Sequence, residues 1–269
     1  MYISLKLELV PNNEGLIYYS GKVLRAFFLR KIAEINSEFA EKLHKPDMVW
    51  GTAPYAITPL NMKTNSNKPI PLKIAVKSNQ YYNVELKLVE HIFKKYLNSI
   101  LEKLSNIVKI GEINFKVKKI EIERKNILEN LIKKKETTKE TKIYHIYFRT
   151  PTYFRKIGTE KHYMLPTPEK FIYSAAKIWN IFSDKKIEKK TIDEEILPNI
   201  SVKHYRITTI KPFKLDEKRK LTGFIGNIKY VAKTAKTARL FKIIVESAKY
   251  TNVGGNRTGG FGVIEYKEG

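Results

Sequence analysis

Asn252-Val253-Gly254-Gly255-Asn256-Arg257-Thr258-Gly259-Gly260-Phe261-Gly262-Val263 is the stretch on which the reading of this chain turns. Five of the 13 glycines fall within nine residues here. Glycine admits positive φ and lets a backbone approach another segment closely. Successive exposed N–H groups form a concavity suited to phosphate, and Arg257 stands in the middle of the run. The stretch follows a helical pattern and leads into a strand. It lacks the Gly-Lys-Ser/Thr ending of the nucleotide-hydrolase phosphate loop and runs helix to strand, the reverse of that motif. Its residues alone leave two readings open: an anion-binding backbone, or a tight connector packed on a neighbouring helix.

Working outward, the spacing predicts a helix over Thr234–Ser247 and a last strand over Gly260–Tyr266. Upstream come strands Ile200–Ile210 and Leu221–Tyr230, joined by the basic turn Asp216-Glu217-Lys218-Arg219. Before them lie a helix over Pro168–Phe182, with proline in its first turn, and a strand over Ile143–Phe148. The first half gives a similar order. Ile3, Leu5, Leu7 and Leu9 alternate with Ser4, Lys6 and Glu8 as a strand. Leu24, Phe28, Ile32 and Ile35 form a helical stripe, and Ser37 is expected to cap a second short helix through Leu43. Residues 52–60 and 70–78 read as strands, Val84–Leu104 as a long helix, and Ile113–Ile122 as a strand. Each half is thus β-α-β-β-α-β, the ferredoxin-like order. The expected fold is α+β, two tandem ferredoxin-like (RRM-like) domains over 1–130 and 143–269. Between them Lys133–Lys142 carries no apolar residue and reads as a linker or hairpin tip.

The chain has 269 residues, enough for two cores. Lys and Arg number 51 against 27 Asp and Glu, so the net charge is 51 − 27 = +24. Internal ion pairing cannot absorb that excess, and a polyanionic partner is expected, nucleic acid before a membrane surface. Cysteine is absent, which excludes disulfides, thiolate nucleophiles and Cys-ligated zinc. No His-Glu-x-x-His and no carboxylate pair at ligand spacing occurs, so neither metal nor cofactor is expected. The N-terminus reads as a strand without a signal-peptide core, and no run approaches a membrane helix; a cytoplasmic protein is expected.

Ala248-Lys249-Tyr250-Thr251 leading into the glycine stretch resembles the C-terminal signature of the RAMP superfamily of CRISPR-associated proteins. Three further segments resemble its pre-crRNA-processing endoribonucleases: Ser20-Gly21-Lys22-Val23-Leu24-Arg25; Leu43-His44-Lys45 followed by Tyr55-Ala56-Ile57-Thr58-Pro59-Leu60; and Phe148-Arg149-Thr150-Pro151-Thr152-Tyr153-Phe154-Arg155. The resemblance spans nearly the whole chain. It implies two ferredoxin-like domains, RNA along a cleft or across one face, and cleavage without metal.

Metal-free RNA cleavage uses the substrate's own 2′-OH. It needs a base for that hydroxyl, an acid for the leaving oxygen and cations for the phosphorane. Histidine suits the proton transfers. Of His44, His91, His145, His162 and His204, only His44 matches the Leu-His position at which the family carries its catalytic histidine. Without the resemblance, His44 also reads as a helix-ending residue that caps carbonyls. The pattern departs from members with a tyrosine about fifteen residues before the histidine, where this chain has Leu29 and Arg30. A Tyr-His-Lys triad is therefore not carried over. The expected catalytic set is His44 as acid or base with Lys45 or Arg30 stabilising the phosphorane, and Tyr18 and Tyr19 as spare donors. Expected RNA contacts are Lys22 and Arg25, one helical turn apart; Arg149, Arg155 and Lys156; Lys233, Lys236 and Arg239; and Gly254, Gly255, Arg257, Gly259, Gly260 and Gly262 of the loop. The expected partners are CRISPR repeat RNA and other CRISPR-associated proteins, with the chain a monomer or homodimer. Two related readings stay open, a non-cleaving RNA-binding RAMP protein and a structural subunit of a CRISPR effector. An unrelated basic protein of ribosome or membrane surface would explain the charge but not the loop.

Overall fold

The computed structural model describes residues 1–62, 68–129, 141–155, 162–214 and 220–269. The chain divides into two units: Met1–Ser66, Ile70–Lys125 and Thr258–Gly260 in the first, and Asn67–Pro69, Asn126–Arg257 and Phe261–Gly269 in the second.

The first unit runs β1 (Tyr2–Pro11), β2 (Gly15–Tyr18), α1 (Gly21–Ile35), α2 (Ser37–His44), α3 (Pro46–Val49), β3 (Tyr55–Met62), β4 (Lys73–Val76), β5 (Tyr82–Val89), α4 (Glu90–Phe93), α5 (Leu97–Leu104), β6 (Ile107–Ile110) and β7 (Ile113–Lys125). Its five-stranded sheet has the order β3-β5-β1-β7-β6. All neighbours are antiparallel. Leaving out the edge strand β6, the order is second-third-first-fourth, the ferredoxin-like arrangement. Register follows the alternation of β1: Leu5 stands opposite Leu86 and Ile122, and Leu7 opposite Val84 and Ile120. A one-residue slip would turn that apolar set to the other face, so the pattern fixes the pairing. Leu24, Phe28 and Ile32 of α1 and Ile100 and Leu104 of α5 are buried in the same core cluster as Leu5, Leu7 and Phe115. Phe28 is fully buried, with its ring 5.2 Å from Tyr55 and 6.2 Å from Phe93. Burial of such a side chain stabilises by about 1.5–3 kcal/mol.

Two elements of the first unit differ from the sequence reading. Val84–Leu104 is not one helix. Its first part is β5, whose Val84, Leu86 and Leu88 pair with Leu7, Leu5 and Ile3. The chain passes directly into Glu90–Phe93, and α5 begins only at Leu97. The strand read over 70–78 is β4, which pairs with β2 in a separate two-stranded ribbon, so the third strand of the sheet is β5 and not that segment.

The second unit runs β8 (Lys142–Thr152), β9 (Phe154–Arg155), β10 (His162–Tyr163), α6 (Pro168–Phe182), β11 (Ile200–Thr209), β12 (Phe213–Lys214), β13 (Lys220–Leu221), β14 (Phe224–Ala232), α7 (Ala235–Thr251) and β15 (Ile264–Glu268). The main sheet has the order β11-β14-β8-β15, again second-third-first-fourth. Tyr144, Ile146 and Phe148 of β8 are buried, as are Phe171 of α6 and Phe241 of α7. The Tyr144 and Phe241 rings meet edge-on at 5.0 Å. The polar tips of this aromatic core are satisfied: Tyr144 donates to the Ala238 carbonyl at 2.8 Å and Tyr230 to that of Pro166 at 2.6 Å. Among the described residues no helix is long and apolar enough to cross a membrane.

Candidate functional site

His44 is placed by α2. The cap of this helix is Asn36, whose side chain accepts from the Phe39 N–H at 2.7 Å, and Ser37 is the first helical residue rather than the cap. Phe39 stacks on Tyr96 at 4.5 Å and meets Phe93 edge-on at 5.4 Å, while Leu43 is wholly buried. These contacts pin one face of α2, and His44, next after Leu43, is exposed. Pro46 opens α3 and ends the run. Lys42 pairs with Glu38 at 2.5 Å and Lys45 with Glu41 at 3.2 Å, both one turn back on an exposed face. Exposed pairs of this kind are weak and screened by solvent, so both ammonium groups are readily drawn to another anion. Arg30 is exposed on α1.

The opening of α1 holds a second group. Ser20 does not cap with its side chain; its Oγ accepts from the Leu60 N–H at 2.8 Å. Within this unit a Cβ at Gly21 would lie 2.0 Å from the Gly259 carbonyl oxygen, so only glycine permits the approach. Gly260 sits beside Pro59 and Tyr19. Lys22 is exposed on this opening turn. Arg25 is half-buried, and its Nε is buried without a hydrogen-bond partner among the described residues.

In the second unit the glycine stretch is folded back on itself. α7 ends at Asn252, whose positive φ of 56° cannot continue a right-handed helix. Asn252 Nδ2 donates to the Phe261 carbonyl at 3.1 Å. The Gly254 amide donates to Ser174 Oγ at 2.9 Å, that of Gly255 to Tyr153 at 2.9 Å, and that of Gly262 to Pro151 at 3.0 Å. Of the two readings the sequence left open, phosphate-binding backbone or tight connector, these three bonds belong to the connector. Arg257 differs from expectation. It is 7% exposed, and its NH1 donates to the Thr251 carbonyl at 2.6 Å. Arg149 is 8% exposed, bound to Glu265 and to the Lys68 carbonyl. Both cations are buried where the bare pattern suggested surface charges.

The remaining basic residues lie apart from the loop in the chain. Arg155 is exposed in β9. Lys156 lies outside the described residues. Lys233, Lys236 and Arg239 are exposed at the start of α7, where Lys236 pairs with Glu195 at 2.9 Å. The sequence reading missed a polar constellation on β8 and β14. Tyr147 donates to His145 Nδ1 at 2.8 Å, and His145 Nε2 lies 3.1 Å from Asn227 Oδ1. Polar and apolar positions alternate within β8, but only the pairing with β14 brings Asn227 to His145.

Residues 146–264 match the model of the CRISPR-associated endoribonuclease Cas6 family. The matched stretch contains the whole glycine connector and runs from inside β8 to the first residue of β15. No curated protein sequence matches the chain. Solved structures similar to it include a Thermus thermophilus Cas6 product complex, at 18% identity and TM-score 0.74, with 99% of this chain and 100% of that one covered. Another is a Cas6-related gene product from Pyrococcus furiosus, at 16% identity and TM-score 0.61, with 99% of each chain covered. A third is a RAMP protein binding different RNA substrates, at 15% identity and TM-score 0.58, with 98% and 99% covered. These likenesses extend the Cas6 fold over both units.

Proposed function

We propose that the chain binds a CRISPR repeat RNA and cleaves it as a metal-independent endoribonuclease. In this reaction the substrate 2′-OH attacks the adjacent phosphorus and the 5′-oxygen leaves, giving a 2′,3′-cyclic phosphate and a 5′-OH. The observation that carries the reading is the Cas6 match over 146–264, and the net charge of +24 supports a polyanionic substrate. His44, exposed at the end of a pinned helix, moves a proton to or from the reacting oxygens. Lys45 exchanges Glu41 for the phosphorane, and Arg30 is the alternative cation. Lys22 and Arg25 at the opening of α1, with Arg155, Lys156, Lys233 and Arg239, supply phosphate contacts. Gly259 and Gly260 bring backbone to the α1 opening. The site is the chain's own in the cytoplasm, with other CRISPR-associated proteins as further partners.

His44→Ala should lower single-turnover cleavage of the repeat by about 10²-fold or more while the Kd for the repeat stays close to wild type. Equal cleavage by the variant removes His44 from the mechanism. A second reading, binding without cleavage, is favoured by one observation: His44 has no hydrogen-bond partner among the described residues to orient its ring. Tight binding with no cut by the wild type would select it.

A further inference from the structure

The single helical turn that follows His44 is apolar and open to water. In α3 Met48 is 84% exposed and Val49 46%, and Met48 is the most exposed of the large hydrophobic side chains among the described residues. Trp50 comes next, half-buried, with part of its surface packed on the core of the first unit. Leaving a Met and a Val side chain in water forfeits burial that folding normally gains. Apolar residues scattered singly over a surface need no explanation, but three in succession beside a candidate proton-transfer group form a ledge.

The ledge is held in place. Pro46 opens its turn, the Met48 N–H donates to the Lys45 carbonyl at 3.2 Å, and the Trp50 N–H donates to that of Pro46 at 2.8 Å. Gly51, with a φ of 72°, ends the turn. Met48 is therefore bonded to the backbone of the residue next to His44. The exposed groups around the ledge are charged: Lys42, His44 and Lys45 before it, and Asp47 within its turn. An apolar patch of three residues is far too small for a stable protein partner, which takes about 20–30 residues a side. It matches the face of one nucleobase. Asp47 disfavours a phosphate on the ledge itself, whereas a base is neutral.

We propose that Met48, Val49 and Trp50 hold one of the two nucleobases that flank the scissile phosphate, drawn out of the stack of its neighbour. The inference rests on the proposed function. Attack by a 2′-OH needs that oxygen, the phosphorus and the leaving 5′-oxygen in line, which two nucleotides stacked as in an A-form strand do not give. One base must leave its neighbour, and an apolar surface beside the proton-transfer group replaces the stacking it loses. The methionine thioether is polarisable and flexible, so it adapts to the flat face of a base. Met48 is on this account a substrate-positioning residue: it sets the geometry at phosphorus while His44 moves the proton.

The test measures single-turnover cleavage of the repeat RNA by the full chain. Met48→Ser, a change on the surface and harmless to the core, should slow the cut about tenfold, and Met48→Leu should stay near wild type. An abasic ribose, which keeps the 2′-OH and the phosphate, is then placed on one side of the cut and, in a second RNA, on the other. At one of these two positions it should slow the wild type about as much as Met48→Ser does, and should slow Met48→Ser no further. A structural role for Met48 would instead multiply with the abasic effect. Unchanged cleavage by Met48→Ser, or losses that multiply at both positions, would overturn the ledge and leave the nuclease reading intact. A wild type that leaves the unmodified repeat uncut would overturn the nuclease reading and the ledge with it.

Discussion

Arg257 is a cation in a strongly basic chain, yet its guanidinium is withdrawn from solvent and spent on the Thr251 carbonyl. Loss of such a charge-assisted bond leaves a buried acceptor unpaired. Arg257→Ala should therefore destabilise the fold by about 2 kcal/mol in urea denaturation. If stability is unchanged and only the salt slope of RNA binding falls, the residue faces phosphate after all. Gly262 is constrained more tightly. Its φ is 67°, and a Cβ there would lie 1.8 Å from the Val253 carbonyl oxygen. Gly262→Ala should cost at least about 2 kcal/mol, measured in the same way. At this scale the sequence disclosed part of the arrangement. Glycines clustered between a helix and a strand announce a tight connector whatever else they do. Which way a cation points depends on carbonyls contributed by other segments, so nothing local to Arg257 or Arg149 marked them as buried.

Helix α2 sets where His44 stands, and Asn36 sets where α2 begins. Asn36→Ala should lower stability by about 1 kcal/mol, whereas Asn36→Asp should retain it, as thermal melting of the two variants would show. An equal loss in both would deny the cap. The sequence reading put the cap at Ser37, one residue late, because both residues are good caps and only the Phe39 N–H contact chooses between them. The misreading of Val84–Leu104 has a similar origin. Val84, Leu86 and Leu88 fit a strand, but β5 passes into helix at Glu90 without a turn, glycine or proline to mark the change. Long-range pairing with β1 decides the matter, and a local pattern cannot report it. Helix α6, by contrast, was legible from end to end, since Pro168 opens it behind a Thr167 cap and its apolar spacing is regular.

Over the whole molecule, the doubled ferredoxin-like topology was readable because it depends on element order, which survives errors of a few residues at each boundary. The polar constellation on β8 and β14 was not, because it exists only once the two strands are in register. Two tyrosines, Tyr230 in the core and the half-buried Tyr266, give the fold a defined alkaline limit. Burial pushes the Tyr230 hydroxyl well above the usual 10.0, and burial with the nearby Glu246 carboxylate does the same for Tyr266. A phenol whose folded pKa lies above its unfolded one stabilises fully below the unfolded value, and that stability is lost as pH rises past it. The protein should therefore lose stability above about pH 10. Phenolate absorbance from the last tyrosines should appear together with loss of circular dichroism; their titration within a folded chain would contradict the burial.

The central claim is that the chain cuts repeat RNA through the substrate's own 2′-OH. The direct measurement incubates the purified protein, in EDTA, with a 5′-labelled CRISPR repeat RNA from its own host, beside the same RNA bearing a 2′-deoxy at the cut position. The account predicts one discrete cut ending in a 2′,3′-cyclic phosphate, abolished by the single deoxy substitution. A cut that persists on the deoxy substrate, or that requires a divalent metal, would contradict it.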